Sequence, residues 1–431
     1  MAAPALRLAP ARSQARQRGR AAIVHPYSTG RYLAPALAAR GWGAVAVLPA
    51  QPLPAHDHPG SFRRRDYDAV ITDEGSIAAI AAIATALDVT AVLPGAETGV
   101  PLADQLARSL GLAGNDPRTS PVRRDKGQMA AALAAAGVSH PLTIRAGTAD
   151  RARAAARAIG GAVVVKPVAS AGGEDVAVCR TAQEVDAAWQ SAAGKQNLMG
   201  LRNDELLIQE FLDGQQYTIN TVSCPLDGGR AHHYVAEVWL DHRREIAGGR
   251  VIYDRMDLLA GDDPRAADMG RYITRVLDAL GVQTGPAHCE AVMTSRGPVL
   301  IEAGARLAGM GDPAATALAL GTSQVDLAAE AITDPDGFTS RHRGPYLRHA
   351  CAVQLDLAAS RPGVMDPGAF AAISALASVR GWVGHVVPGG RVTRTVDLLT
   401  SPGTFYLTGA AEEVEADIAW IRELEQTELY Q

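Results

Sequence analysis

Between residues 21 and 118, short apolar runs alternate with helical stretches, and that rhythm limits the fold more than any other feature of the chain. AAIVH (21–25) and AVAVLP (44–49) bracket a helix beginning near Arg31. DAVIT (68–72) and TAVLP (90–94) bracket a helix at 76–87, and a further helix runs through 100–110. Strands alternating with helices predict a parallel sheet with helices on its faces. Ligands of such sheets bind beyond the carboxyl ends of the strands, so Ser28-Thr29-Gly30 and Gly95-Ala96-Glu97-Thr98-Gly99 are candidate site loops as well as ordinary strand-to-helix turns. There is no GxGxxG, so a dinucleotide is not indicated.

The 431 residues suffice for two or three domains, and 47% hydrophobic with 20% charged residues is a globular balance. A net charge of −5 gives no electrostatic case for nucleic acid or an anionic membrane. No run reaches the roughly 20 apolar residues of a spanning helix. Cys179, Cys224, Cys289 and Cys351 lack CxxC spacing, which points to a reducing, cytoplasmic setting and away from zinc or a disulfide framework. Residues 1–20 carry five arginines and no acid and read as a disordered tail. Of the 41 basic residues only Lys126, Lys166 and Lys195 are lysine. A compact ammonium is not interchangeable with a planar guanidinium where a phosphate is gripped as a point charge, so these lysines mark places to look.

From residue 119 the character changes. Asp125-Lys126 opens a helix of about 125–136 that stops at Gly137, and a second helix, 148–159, stops at Gly160-Gly161. AVVVKP (162–167) is a strand ending on Lys166, and the loop after it carries Ser170, Gly172 and Gly173. A lysine at the end of a buried strand calls for an anion, and a small-residue loop can lay N–H groups over phosphates. LLIQEFLDGQQYTINTVSC (206–224) reads as strand, short connection, strand. The connection offers backbone groups at Gln209, Glu210, Phe211 and Leu212 to an adenine edge, with Gln216 at the start of the next strand; taken alone, the stretch reads first as a plain hairpin turn at Asp213-Gly214. The arginine-rich stretch 241–255, with His242, Arg243 and Tyr253, reads as a polar loop: a mobile basic lid or a solvated segment.

The segment 288–311, HCEAVMTSRGPVLIEAGARLAGMG, carries the densest chemistry. Two strands joined by a Ser295-Arg296-Gly297-Pro298 turn and centred on Arg296 would place Glu290 opposite Glu302. Like charges directly across a ladder repel, so a cation belongs between them, and a hard divalent ion fits. A slip of one residue would separate the acids onto opposite faces. Arg306 follows among glycines.

Taken in order, Lys126, Lys166 with its glycine loop, QEFLDGQQ (209–216), Glu290 and EAGAR (302–306) resemble the ATP-grasp superfamily, and the E-x-x-x-R-x-x-G ending is most similar to its L-amino acid ligases. The resemblance implies an α/β multidomain fold: a preceding parallel-sheet domain at 21–118, an ATP-grasp domain at 119–330 with a small lobe near 140–213 and a large lobe near 214–330, and a β-rich C-terminal lobe at 331–431. TVDLLTSPGTFYL (395–407) would be two strands there. It further implies an enzyme that phosphorylates the carboxylate of an amino acid or related small acid from ATP and couples the acyl phosphate to an amine. Lys126 and Lys166 would hold phosphates under the loop with Ser170, Gly172 and Gly173. Gln209 to Leu212 would frame adenine, with Gln216 at the ribose where relatives carry Glu. Glu290 and Glu302 would hold two Mg2+ ions, and Arg306 would steady the transferred phosphoryl group. Glu97, His242, Arg243, Tyr253, Arg306, Gly309 and Met310 would line the substrate pocket. Gly304 stands where the commoner E-x-N motif has Asn, as the amino acid ligases tolerate. The partners implied are small acids and amines, and a homodimer is allowed. A bicarbonate-activating carboxylase and a non-catalytic nucleotide-binding module are the alternatives.

Overall fold

The computed structural model describes residues 6–8, 18–51, 59–169, 173–197, 200–246, 250–309, 311–398 and 400–431. The N-terminal domain is a five-stranded sheet built from β1 (Leu6–Leu8), β2 (Arg20–Val24), β3 (Gly43–Pro49), β4 (Ala69–Asp73) and β5 (Ala91–Pro94), in the order β1-β4-β3-β2-β5. Strands β2 to β5 are parallel, as the alternation predicts; β1 pairs antiparallel with β4. The first twenty residues are therefore not tail throughout: the open edge of β4 offers an unpaired ladder, and Leu6–Leu8 fills it. Helices Leu33–Ala39, Ile77–Ala86 and Val100–Leu110 cover the faces. The first begins later than expected because Ser28–Tyr32 is a 3-10 turn. That turn crosses the loop after β5 backbone to backbone; a Cβ on Gly30 would come within 2.2 Å of the Gly95 oxygen. Both candidate loops are thus locked together at the strand ends.

Helix Lys126–Ala135 opens the next unit, with the Asp125 carboxylate accepting from the N–H groups of Gly127 and Gln128. Its N-terminal approach is anchored by Arg123, which is 1% exposed and bonded to Asp104 of the first domain at 2.6 Å. A four-stranded antiparallel sheet follows, from β6 (Thr143–Ala146), β7 (Val163–Pro167), β8 (Ala177–Cys179) and β9 (Leu206–Glu210), in the order β6-β9-β7-β8. Helices Ala149–Ile159 and Ala182–Ala192 back it, the second closed by a capping box between Thr181 and Glu184.

The largest sheet has eight strands: β10 (Gln215–Pro225), β11 (Ala231–Ile246), β12 (Arg250–Leu258), β13 (Gly285–Thr294), β14 (Gly297–Gly304), β15 (Cys351–Asp356), β17 (Val379–Gly384) and β19 (Gly403–Gly409). Its order is β14-β13-β10-β11-β12-β15-β19-β17, and β16 (Gly363–Val364) with β18 (Arg391–Val392) forms a separate ribbon. Strands β9 and β10 belong to different sheets, so 211–214 is a hinge between lobes and not a hairpin turn. Two sequence expectations are corrected here, for 241–255 and for 395–407. Residues 241–255 are mostly strand, because their charges pair locally, Arg243 with Asp241 and Arg244 with Asp254. The C-terminal segment extends the large sheet through the β12–β15 pairing, with helices Pro367–Ser374 and Ala411–Thr427 among its strands. Among the described residues of 395–407 only the part from Gly403 is strand, since Thr400 folds back on Val396 and Asp397.

Among the described residues no helix is long and apolar enough to cross a membrane.

Candidate active site

Pairs Thr294↔Gly297 and Ala291↔Leu300 show that the β13–β14 hairpin turns at Ser295-Arg296 alone, with Gly297 at φ +97. Continued straight, that register would face Glu290 with Ile301 and turn Glu302 to the other side. A bulge at Ile301 inserts one residue, and beyond it Glu290 faces Glu302 and His288 faces Gly304. The expected pairing of the two acids is present, reached by a shorter turn plus a bulge.

Between the N-terminal domain and the large sheet lies a cavity of about 310 Å³, lined by Glu290 and Glu302 together with Lys126, Glu97, Gly304, Arg306 and Gly309. Lys126, the first residue of its helix, sets Nζ 2.9 Å from the Glu302 carboxylate. Burial pushes the Glu302 carboxyl up, but Lys126, Lys166 and Arg306 outweigh it and hold the group down at about 2. Burial in turn lowers the Lys126 ammonium, and Glu302, Glu97 and Glu290 overcome that and raise it. Lys166, the next-to-last residue of β7, is 4% exposed and is pulled down to about 8 by burial and then by Lys126. It lies outside the cavity lining yet within the field of Glu302 and Glu290. Gln216 donates to Glu290 at 2.8 Å, so its amide steadies one of the two acids; a carboxylate there would repel it.

The N-terminal domain closes the other side. Arg306 Nε donates to Glu97 at 3.0 Å, Arg124 stands 3.5 Å from the second Glu97 oxygen, and the Gly311 N–H donates to Thr29. A Cβ on Gly304 would meet Glu97 Oε2 at 2.9 Å, so the carboxylate covers the space an asparagine side chain would enter.

Other expected residues sit differently. Ser170, Gly172 and Met310 lie outside the described residues. Gly173, at φ +76, does not line the cavity, and neither do Gln209, Glu210, Phe211 and Leu212 at the hinge. Gln209 is buried and bonded to Thr143, while Glu210 is held by both terminal Arg296 nitrogens and the Leu142 N–H, and the N–H groups of Glu210 and Phe211 donate to the Leu142 and Ala162 oxygens. His242 pairs with Asp257 at 2.7 Å and is outside the cavity. Tyr253 lines the cavity, with the Arg243 guanidinium stacked 3.5 Å over its ring and 3.9 Å from Glu290.

Sequence reasoning missed a hydrogen-bonded row beside the two acids. His288 Nδ1 lies 2.8 Å from Asn220 Oδ1, and the Asn220 amide donates to buried Glu237. His288 was legible by alternation, two residues before Glu290. It also missed Gln354, Asp356, Thr404 and Tyr406, which the C-terminal strands bring to the same cavity.

A family model described as an ATP-grasp domain matches residues 123–237. Dapdiamide A synthase of Enterobacter agglomerans is 31% identical over 392 residues, covering 88% of this chain and 89% of the relative. Among solved structures, an L-amino acid ligase from Bacillus licheniformis aligns over 95% of this chain and 98% of its own, with TM-score 0.71 and 18% identity. A carboxyaminoimidazole ribonucleotide synthase from Aspergillus clavatus, complexed with ATP, has the same coverage at TM-score 0.68 and 13% identity.

Proposed function

Since the chain belongs to the ATP-grasp carboxylate–amine ligases, we propose that it forms an amide or peptide bond between an amino acid or related small acid and an amine, in specialised metabolism and in the cytoplasm. The observation that carries this is the cross-strand pair Glu290 and Glu302 with Lys126 against it, inside one cavity. A carboxylate is a poor electrophile at neutral pH. Transfer of the γ-phosphoryl group of ATP to it makes an acyl phosphate with release of ADP. A neutral amine then attacks the carbonyl carbon, the amide forms and phosphate leaves.

Such a transfer asks the protein for positioning and charge neutralisation more than for covalent chemistry. Among the described residues no group of three or more ligand-type side chains could hold a metal by itself. Two carboxylates nevertheless suit Mg2+, which commonly takes one or two and completes its shell with water and phosphate oxygens. Glu290 and Glu302 would hold it, and its chemistry is to neutralise charge on the phosphates. Lys126 and Lys166 would grip phosphate oxygens, and Arg306, aimed by Glu97, would bind the carboxylate and its phosphorylated form. The backbone of 209–212 would meet adenine.

The test is ADP release with ATP and Mg2+ across amino acids taken singly and in pairs, with a bicarbonate arm. ADP and phosphate released with a new amide product support the reading; release that requires bicarbonate and no amino acid overturns it.

A further inference from the structure

Glu237 lines the cavity and is held by Asn220, but its other oxygen, buried near the Trp239 indole, completes no hydrogen bond and is not open to a ligand. Asp356 is different. It closes β15, is 5% exposed, and lines the same cavity. Thr404 donates to Asp356 Oδ1 at 2.6 Å, fixing the carboxyl plane, while Oδ2 has no hydrogen-bond partner among the described residues. A carboxylate oxygen without a partner on a largely buried side chain is costly, and a donor brought by a ligand would relieve that cost.

The neighbouring cations are engaged elsewhere. Arg243 bonds Asp241 at 2.6 Å and stacks on Tyr253. Arg422 bonds Asp254 at 2.8 Å and the Asp356 backbone oxygen at 2.9 Å; both arginines act on the Asp356 carboxylate through their charge without pairing with it. Of the cavity's lining residues, the cations Arg123, Arg124, Lys126 and Arg306 come from the segments around the two facing acids and the N-terminal domain, whereas Gln354, Thr404 and Tyr406 come from β15 and β19, the strands that carry and pair with Asp356. Along the sheet, β13 carries Glu290, and β10, β11 and β12 intervene before β15. Asp356 thus stands four strands from Glu290 along the sheet, with Arg243, 3.9 Å from Glu290 and within the field of Asp356, between them.

We propose that Asp356 is the subsite for a cationic hydrogen-bond donor, an ammonium group at the end of the substrate remote from the reacting carboxyl. The proposal rests on the ligase reading and names the class of substrate: acids or amines with a distal ammonium group, in preference to isosteres that end in a methyl. Gln354 and Tyr406, register partners on neighbouring strands, flank the position.

The experiment compares L-lysine with L-norleucine and L-ornithine with L-norvaline in ATP-dependent ADP release, for the unaltered protein and for Asp356→Asn. Asparagine keeps the acceptor for Thr404 and removes the charge. The ratio of kcat/KM within each pair cancels any loss of folded enzyme. The expected result is preference for the ammonium member, with the ratio falling about tenfold or more in the variant. An unchanged ratio, or no stimulation by either ammonium member while neutral amino acids react, overturns the subsite. Calorimetric titration with L-lysine and L-norleucine separates the two readings: if no amino acid stimulates ADP release, the ligase reading fails. Asp356-dependent binding of lysine over norleucine would still support the subsite, and equal binding would overturn it.

Discussion

Glu97 and Gly304, from different domains, meet so closely that a single added carbon on residue 304 would lie 2.9 Å from the Glu97 carboxylate. The same carboxylate oxygen accepts from Arg306 Nε at 3.0 Å. The glycine therefore makes room for the acid that aims the arginine. Gly304→Ala is expected to fold, since the crowded atom is the end of a side chain, yet to lower kcat by roughly tenfold, since Glu97 is pinned by two arginines and cannot move without releasing Arg306. Steady-state ADP release alongside a thermal melt checks it; an unchanged kcat would mean that Glu97 does not set the arginine.

Glu302→Ala removes a carboxylate that faces Glu290 and holds Lys126. ADP release should fall at least a hundredfold, on the order seen when a charge-stabilising group is removed from an active site. Arg306→Ala should leave ATP binding within a few-fold of normal and block turnover, because the guanidinium meets the substrate side and pairs with Glu97. Nucleotide binding by calorimetry beside single-turnover ADP formation separates the two variants. Full activity in either would refute these roles.

How far the site could be read from sequence depends on what each residue's chemistry reveals. Lys126 and Lys166 stand out because lysine is scarce in the chain, and alternation in β13 marks Glu290. The facing of Glu290 and Glu302 was less secure: the centred turn reached the right pair, but the molecule reaches it through a two-residue turn and a bulge at Ile301. Bulges leave little trace in a hydrophobic pattern. The 241–255 stretch looked like a loop because its residues are polar; strand pairing that satisfies charges through Arg243–Asp241 and Arg244–Asp254 is not visible in periodicity. Asp356 and Thr404 were out of reach for another reason. Alternation shows that a segment is a strand, not which sheet it joins, and the β12–β15 pairing brings together residues about a hundred positions apart.

The tip of the hairpin also touches the small lobe. Arg296 forks onto Glu210 with distances of 2.7 and 2.8 Å, beside the hinge at 211–214. The pair is partly exposed, so Arg296→Ala should cost about 0–1 kcal/mol of stability. Its effect belongs to lobe position: KM for ATP is expected to rise several-fold with kcat little changed. Chemical denaturation and ATP titrations test this, and a large stability loss with unchanged KM would show the clamp to be structural only.

Lys166 gives the clearest dependence on pH. Its ammonium is pulled from the ordinary 10.5 down to about 8, by burial and then by Lys126. Below pH 8 the group is charged in both folded and unfolded chains, and the folded chain bears the burial cost. As pH rises from about 8 toward 10.5 the folded form loses its proton first, so the unfolded chain binds more protons and stability increases with pH. The gain attributable to this lysine between pH 7.5 and 9.5 is about 2 kcal/mol, at 1.36 kcal/mol per unit. Affinity for ATP should move the other way and weaken above pH 8, because only the ammonium attracts phosphate. Urea midpoints and ATP binding measured at both pH values test the pair of trends. In Lys166→Met both trends should flatten, and a variant that keeps the loss of ATP affinity above pH 8 would assign that titration to another group.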